Sequence, residues 1–120
     1  MNSATTTNRV DLMFRAFSDR TRLRILHLLK DREYCVGDLV TVIDVPQPTA
    51  SRHLAYLKKA GLVRARKNGL WIFYSLVPAR TSFHRKLLEC LANCFHEVRE
   101  LKTDSTRAAK LRKTGGCCPR

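Results

Sequence analysis

The stretch FSDRTRLRILHLLKDREYCVGDLVTVIDVPQPTASRHLAYLKKAGLVRARKNGLWIFYSL, Phe17–Leu76, decides the fold. Leu23, Ile25, Leu26, Leu28 and Leu29 make a broad apolar face on one helix. Ser18 can cap that helix, and Asp19 favours its first turn. Val36–Ile43 is a second, short helix with Val36, Leu39 and Ile43 inward. Pro46 and Pro48 stop it, and Pro48 can open the next helix, where its missing N–H costs nothing. That helix runs to about Ala60, with Gly61 as its stop and Leu54, Leu57 and Leu62 facing inward. Two strands follow, Leu62–Arg66 and Trp71–Leu76, joined at Asn68-Gly69, which can supply positive φ angles. The order predicts a mainly α chain with a β-hairpin, that is, a winged helix-turn-helix.

Outside this stretch the signals are simpler. Residues 1–7 are polar and read as a flexible N-terminus. Val10, Met13, Phe14 and Phe17 predict a first amphipathic helix, Asn8–Phe17. A long last helix is expected from about Ala79 to Lys102. Along it Phe83, Leu87, Leu91, Cys94, Val98 and Leu101 form a narrow seam spaced 4, 4, 3, 4, 3. The core needs part of that seam. The rest, with the first helix, predicts a homodimer surface. The domain is therefore placed at 8–102. Residues 103–120 are a basic, cysteine-containing tail without periodicity, expected to be flexible.

A chain of 120 residues that is 44% hydrophobic supports one small core. Its formal net charge of +13 favours a polyanion as partner, although an anionic membrane or acidic substrate fits charge alone equally well. No apolar run approaches the roughly 18 residues of a membrane span. The N-terminus has no secretory apolar core, so a cytoplasmic protein is expected. Five cysteines (Cys35, Cys90, Cys94, Cys117, Cys118) in a reducing compartment point to metal or redox chemistry rather than to a disulfide framework.

A short polar helix that opens on small residues can enter the major groove of duplex DNA. Gln47 can read adenine through two hydrogen bonds, and Arg52 can read guanine or hold a phosphate. Pro48, Thr49, Ser51, His53 and Tyr56 complete that surface, with donors for phosphates or bases. Arg64, Arg66, Lys67 and Asn68 on the hairpin would lie on the backbone or in the adjacent minor groove. Each residue alone is an ordinary solvated side chain. Their concentration on one helix and one turn makes the pattern specific.

Three segments, Leu23–Leu29, QPTASRHLAYLKKAGLV (Gln47–Val63) and the wing Lys67–Leu76, closely resemble the ArsR/SmtB family of metal-responsive repressors. The pattern S-R-H-L-x-x-L-x-x-A-G-L-V carries the resemblance. It is strong over about Phe14–Val77 and weak over the final helix. The resemblance implies a homodimeric winged-helix repressor, not an enzyme. Such a repressor leaves operator DNA when a metal or metalloid binds or a thiol is oxidised.

The inducer must be read from ligand spacing. Family members with a soft-metal site on the third helix carry E-L-C-V-C-D-L. This chain has EYCVGDL, so Cys35 matches the first cysteine and Gly37 replaces the second. Cys35 reads first as a small buried residue and only second as a ligand. Against the family's zinc-type pattern His84 fits, but Ser82 and Phe95 stand at ligand positions. His96 and Glu97 are displaced by one residue, about 100° around the helix. The histidines therefore read as surface residues. Cys90 and Cys94, one turn apart, can share a soft ion, and Cys117 or Cys118 can reach back to supply a third thiolate. Three thiolates suit As(III) or Sb(III). Soft ligands also admit Cd(II), Hg(II) or Cu(I), and Zn(II) stays in the set.

Two rival readings use the same residues. Oxidation of the thiols is one. A thiol-dependent metalloid reductase is the other, but no cysteine follows a strand in a phosphate-cradling loop and no C-x-x-C is present.

Overall fold

The computed structural model describes residues 3–116, with side chains from Val10 onward. The elements are α1 (Ser3–Phe17), α2 (Arg20–Leu29), β1 (Tyr34–Cys35), α3 (Val36–Ile43), α4 (Gln47–Lys59), β2 (Val63–Asn68), β3 (Trp71–Leu76), α5 (Ser82–Asn93) and α6 (Arg99–Lys113). This is the winged helix-turn-helix expected. Ile25, Leu26, Leu39, Ile43, Leu54, Leu57 and Leu62 are all buried in one core between α2, α3 and α4.

Local chemistry sets the boundaries. Asp19, not Ser18, caps α2: its side chain accepts the Arg22 N–H at 3.0 Å. The Ser18 hydroxyl instead donates to the Arg15 carbonyl and closes α1. Asp44 ends α3 in the left-handed conformation (φ 57°), which turns the chain toward α4 and which Asp tolerates better than most residues. Gly61, at φ 80°, ends the turn after α4.

The sheet has three strands in the order β1-β3-β2. In the hairpin Asn68 pairs with Trp71, so the two-residue loop is Gly69-Leu70, one position later than expected. Only Gly69 has positive φ (64°) there, which is the type II′ signature, whereas Asn-Gly would serve type I′. β1 was not expected. It is two residues long, and its Cys35 pairs with Phe73 of β3, so it ties the wing directly to the start of α3.

The C-terminal half differs most from expectation. The single helix to Lys102 is two helices, broken over 94–98, where Cys94 caps α5. Cys-Phe-His-Glu-Val is a poor run of helix formers, so breaking there costs little. The break lets α6 fold back on α2 and α3. Leu101 and Ala108 are buried, and Leu111 packs beside them. Thr103–Lys113 is thus helical rather than flexible. The decisive residue is Asp104, 1% exposed, whose two carboxylate oxygens accept from Arg24 at 2.8 and 2.9 Å. Arg24 also donates to the Ile43 carbonyl at 2.9 Å, and Arg107 to that of Thr41 at 3.1 Å.

Candidate nucleic-acid interface and thiol sites

Helix α4 has two faces. Ala50, Leu54 and Leu57 are buried, whereas Gln47, Pro48, Ser51 and Arg52 are exposed and Thr49, His53 and Tyr56 half-buried. No side chain caps its N-terminus and no acidic residue lies in its first turn. The opening N–H groups therefore stay available to an anion such as a phosphate. Lys58 and Lys59 add positive charge to the last turn.

The half-buried members of this surface are held by α2. The Arg22 guanidinium lies 4.1 Å from the Tyr56 ring centroid and donates to the Arg15 carbonyl at 2.8 Å. Burial pushes the His53 imidazole below its ordinary range; Asp19 opposes the shift, and Arg22 and Arg52 add to it. His53 is then neutral at pH 7 and can both donate and accept. Burial tends to raise the Asp19 carboxyl, but the Arg22 N–H, His53 and the Arg22 charge outweigh it and hold the carboxyl low.

On the wing, Arg64, Lys67 and Asn68 are exposed. Arg66 is exposed too but already engaged: Glu33 accepts from it twice at 2.7 Å, and its guanidinium sits 4.7 Å from the Phe73 ring centroid. Sequence reading passed over the apolar tip, where Leu70, Trp71 and Ile72 are 96%, 38% and 41% exposed. The alternation of β3 places Phe73 inward, and the tip residues have no core to enter.

The thiols fall into two places. Cys90 is half-buried on α5 and Cys94 is its exposed C-cap, with the Cys94 N–H donating to the Cys90 carbonyl at 2.8 Å. Burial pushes the Cys90 thiol above its ordinary value, and the hydrogen bond and charge of Cys94 push the same way. Both thiols are free. Cys35 is fully buried, caps α3 with its sulfur accepting the Asp38 N–H at 3.4 Å, and is disulfide-bonded. Cys117 and Cys118 lie outside the described residues. Among the described residues no three His, Cys, Asp or Glu side chains gather as a metal site.

His84 is not the surface residue expected. It is 1% exposed, its Nδ1 accepts the Arg80 N–H at 3.3 Å, and its Nε2 is buried without a hydrogen bond. Burial, and next the Arg80 charge, hold its pKa below the ordinary value. Its partners on the zinc-type pattern are absent, and His96 is exposed on the turn between α5 and α6.

The family model described as "Bacterial regulatory protein, arsR family" matches residues 19–65, which run from the α2 cap through α4 into the wing. The arsenical resistance operon repressor of Escherichia coli K12 is 41% identical over 86 residues, 71% of this chain and 74% of the relative. The chain belongs to the arsR family. This arsR-family protein is also 47% identical over 78 residues (64% of the chain, 88% of the relative) to an uncharacterized regulator, MJ1325, of Methanocaldococcus jannaschii. It is 42% identical over 65 residues (53% and 54%) to a cadmium resistance CadC homolog of Staphylococcus aureus. Among solved structures, HlyU from Vibrio cholerae covers 79% of this chain and 98% of its own at TM-score 0.65 and 29% identity. The transcriptional repressor BigR from Xylella fastidiosa covers 78% and 92% at TM-score 0.62 and 31% identity. Members are DNA-binding transcriptional regulators rather than enzymes. No helix among the described residues is long and apolar enough to cross a membrane.

Proposed function

We propose that this protein is a homodimeric cytoplasmic repressor that releases its operator when a soft metal(loid), foremost As(III) or Sb(III), is held by cysteine thiolates. The observation that carries the reading is the pairing of the free Cys90 and Cys94 thiols at the end of α5. A third thiolate comes from Cys117 or Cys118 of either protomer. Cd(II), Hg(II) and Zn(II) are weaker candidates for the same thiols. The arsenical and cadmium resistance functions of two relatives agree with a soft inducer.

The dimer surface is assigned to α1 and α5. Phe14 is 56% exposed, and its ring packs edge-on against Phe83 at 5.0 Å, an apolar patch that a second copy would cover. Gln47, Pro48, Thr49, Ser51, Arg52, His53 and Tyr56 of α4, with Arg64, Arg66, Lys67 and Asn68 of the wing, meet the duplex. Two α4 helices then address two half-sites about one DNA turn apart.

The coupling is a difference in inducer affinity between two dimer geometries. Cys94 stands where α5 turns toward α6. Asp104 of α6 grips Arg24, which also holds the Ile43 carbonyl at the end of α3. A change of angle at Cys94 therefore reaches the turn into α4 through one ion pair. Calorimetric titration of the reduced protein with arsenite tests the ligand set. The wild type is expected to bind one ion per thiolate site, and the Cys90→Ser/Cys94→Ser variant to lose binding at least 10-fold; unchanged binding in that variant refutes the assignment.

A further inference from the structure

We propose that the cavity between α2, the end of α5 and the start of α6 binds a small organic carboxylate with an apolar body, and that this ligand fixes the angle between α5 and α6. The cavity has a volume of about 400 Å³, within the range of small-molecule sites. Its walls divide by chemistry. Buried Leu91 and Leu101 and half-buried Phe95 form an apolar side. His27, Lys30, His96, Lys102, Ser105 and Thr106 form a polar side, and no Asp or Glu lines the cavity. An inorganic anion would leave the apolar wall uncovered, and a hydrocarbon would leave the donors and the cations unanswered. A molecule with one anionic head and an apolar body satisfies both walls.

The donors favour a single negative charge. Lys102 is exposed and has no ion pair among the described residues, so it offers a free cation. Lys30 is already held by Asp31 at 2.8 Å. The Ser105 hydroxyl has no hydrogen bond among the described residues, whereas that of Thr106 donates to the Lys102 carbonyl at 3.1 Å. The Nδ1 of His27 is buried and likewise unbonded. Burial, then the Lys30 charge, hold the His27 imidazole below its ordinary range; Asp31 and Asp104 oppose the shift, and His96 adds to it. The ring is therefore neutral at pH 7. With no acceptor beside Nδ1, the proton belongs on Nε2, which becomes the ring's donor. One free ammonium with neutral donors suits a carboxylate, whose two oxygens can accept from both kinds.

The position gives the ligand a consequence. Phe95 lies in the break between α5 and α6, Leu91 before it and Leu101 after it. A ligand on all three opposes a change of angle at the break. The cavity lies about 13 Å along α5 from Phe83, away from the proposed dimer patch. The effect on DNA rests on the proposed route from Cys94 through α6. By that route, protein holding the carboxylate needs more arsenite to leave its operator.

The test titrates the reduced full-length protein calorimetrically with phenylacetate, with 2-phenylethanol and with inorganic phosphate. Phenylacetate is expected to bind once per chain, and the other two about tenfold more weakly or less. Lys102→Ala, on an exposed side chain, should weaken phenylacetate about tenfold, and His27→Gln should do the same. Phenylacetate should also shift the ring resonances of His27 and His96 and leave those of His53 in place. No binding, or unchanged binding by Lys102→Ala, overturns the site. Equal binding of the alcohol overturns the anionic head, and equal binding of phosphate overturns the apolar body. Ring shifts at His53 alone would mark a diffuse attraction to the basic surface and overturn the cavity. Phenylacetate should raise the arsenite midpoint for release of promoter DNA by roughly fivefold or more, and an unchanged midpoint overturns the coupling. If arsenite fails to release DNA without phenylacetate, the soft-ion reading fails, and the calorimetry and ring shifts still decide the cavity.

Discussion

His84 shows how a residue suited to metal binding is claimed by packing. Its ring is buried, its Nδ1 takes the Arg80 N–H, and burial disfavours its charged form. A histidine held neutral in the fold contributes stability that is complete above its unfolded pKa, near 6.5. As pH falls below that value the unfolded chain binds the proton first and stability is lost toward the depressed folded value. Denaturant midpoints measured from pH 7.5 to 5 should therefore fall, and His84→Leu should flatten the slope. An equal slope in the variant would assign the acid sensitivity to other groups. His84 was legible only as a histidine at a ligand spacing, because its burial comes from the turn at Arg80–Thr81, which no periodicity reveals. On paper Ser18 was the cap of α2 and Asp19 a favourable acid in its first turn. The geometry chose Asp19 because Ser18 is still occupied with the end of α1.

At the scale of elements, α1 to α4 were readable from apolar spacing and prolines, and the wing from its β-rich alternation. α6 was not. Its inward positions are Leu101, Asp104, Ala108 and Leu111, at helical spacing, but the second is a carboxylate and the third is small. A buried acid interrupts a hydrophobic pattern unless its cation is known, and Arg24 lies 80 residues away. The same pair decides the behaviour of the element. Arg24 has a side chain only 13% exposed, so Asp104→Ala strands a largely buried guanidinium. The expected cost is about 3 kcal/mol, read as a lower denaturation midpoint. Loss of helical circular dichroism should accompany it, as α6 comes off α2 and α3. A change below about 0.5 kcal/mol, within the usual range for surface substitutions, would show that α6 does not depend on this pair.

For the whole molecule, a net charge of +13 makes operator binding steep in salt. The structure divides the basic residues into those offered outward and those already engaged. Arg52 is exposed on α4, whereas Arg66 is held by Glu33. Arg52→Ala should weaken operator binding by about 1–3 kcal/mol if it reads a base, or flatten the log–log salt slope by about 0.9 if it holds a phosphate. Arg66→Ala should cost less, since binding must first draw Arg66 from Glu33. Binding isotherms at several salt concentrations check both, and the reverse order would move the DNA contact from α4 to the wing. The family was legible at this scale because the segment that carries it, residues 19–65, is a contiguous stretch of chain. The sensor was legible only as a spacing, with Cys90 and Cys94 one turn apart at the end of α5, and Cys117 and Cys118 lie outside the described residues.

The central claim is that a soft ion on cysteine thiolates releases DNA. It is tested most directly by the anisotropy of a labelled promoter duplex saturated with reduced protein and titrated with arsenite. The account predicts release near one ion per thiolate site in the wild type, and a midpoint at least tenfold higher in Cys90→Ser/Cys94→Ser, whose DNA affinity without arsenite is unchanged. Retention of the duplex at saturating arsenite, or equal release from the variant, would contradict it.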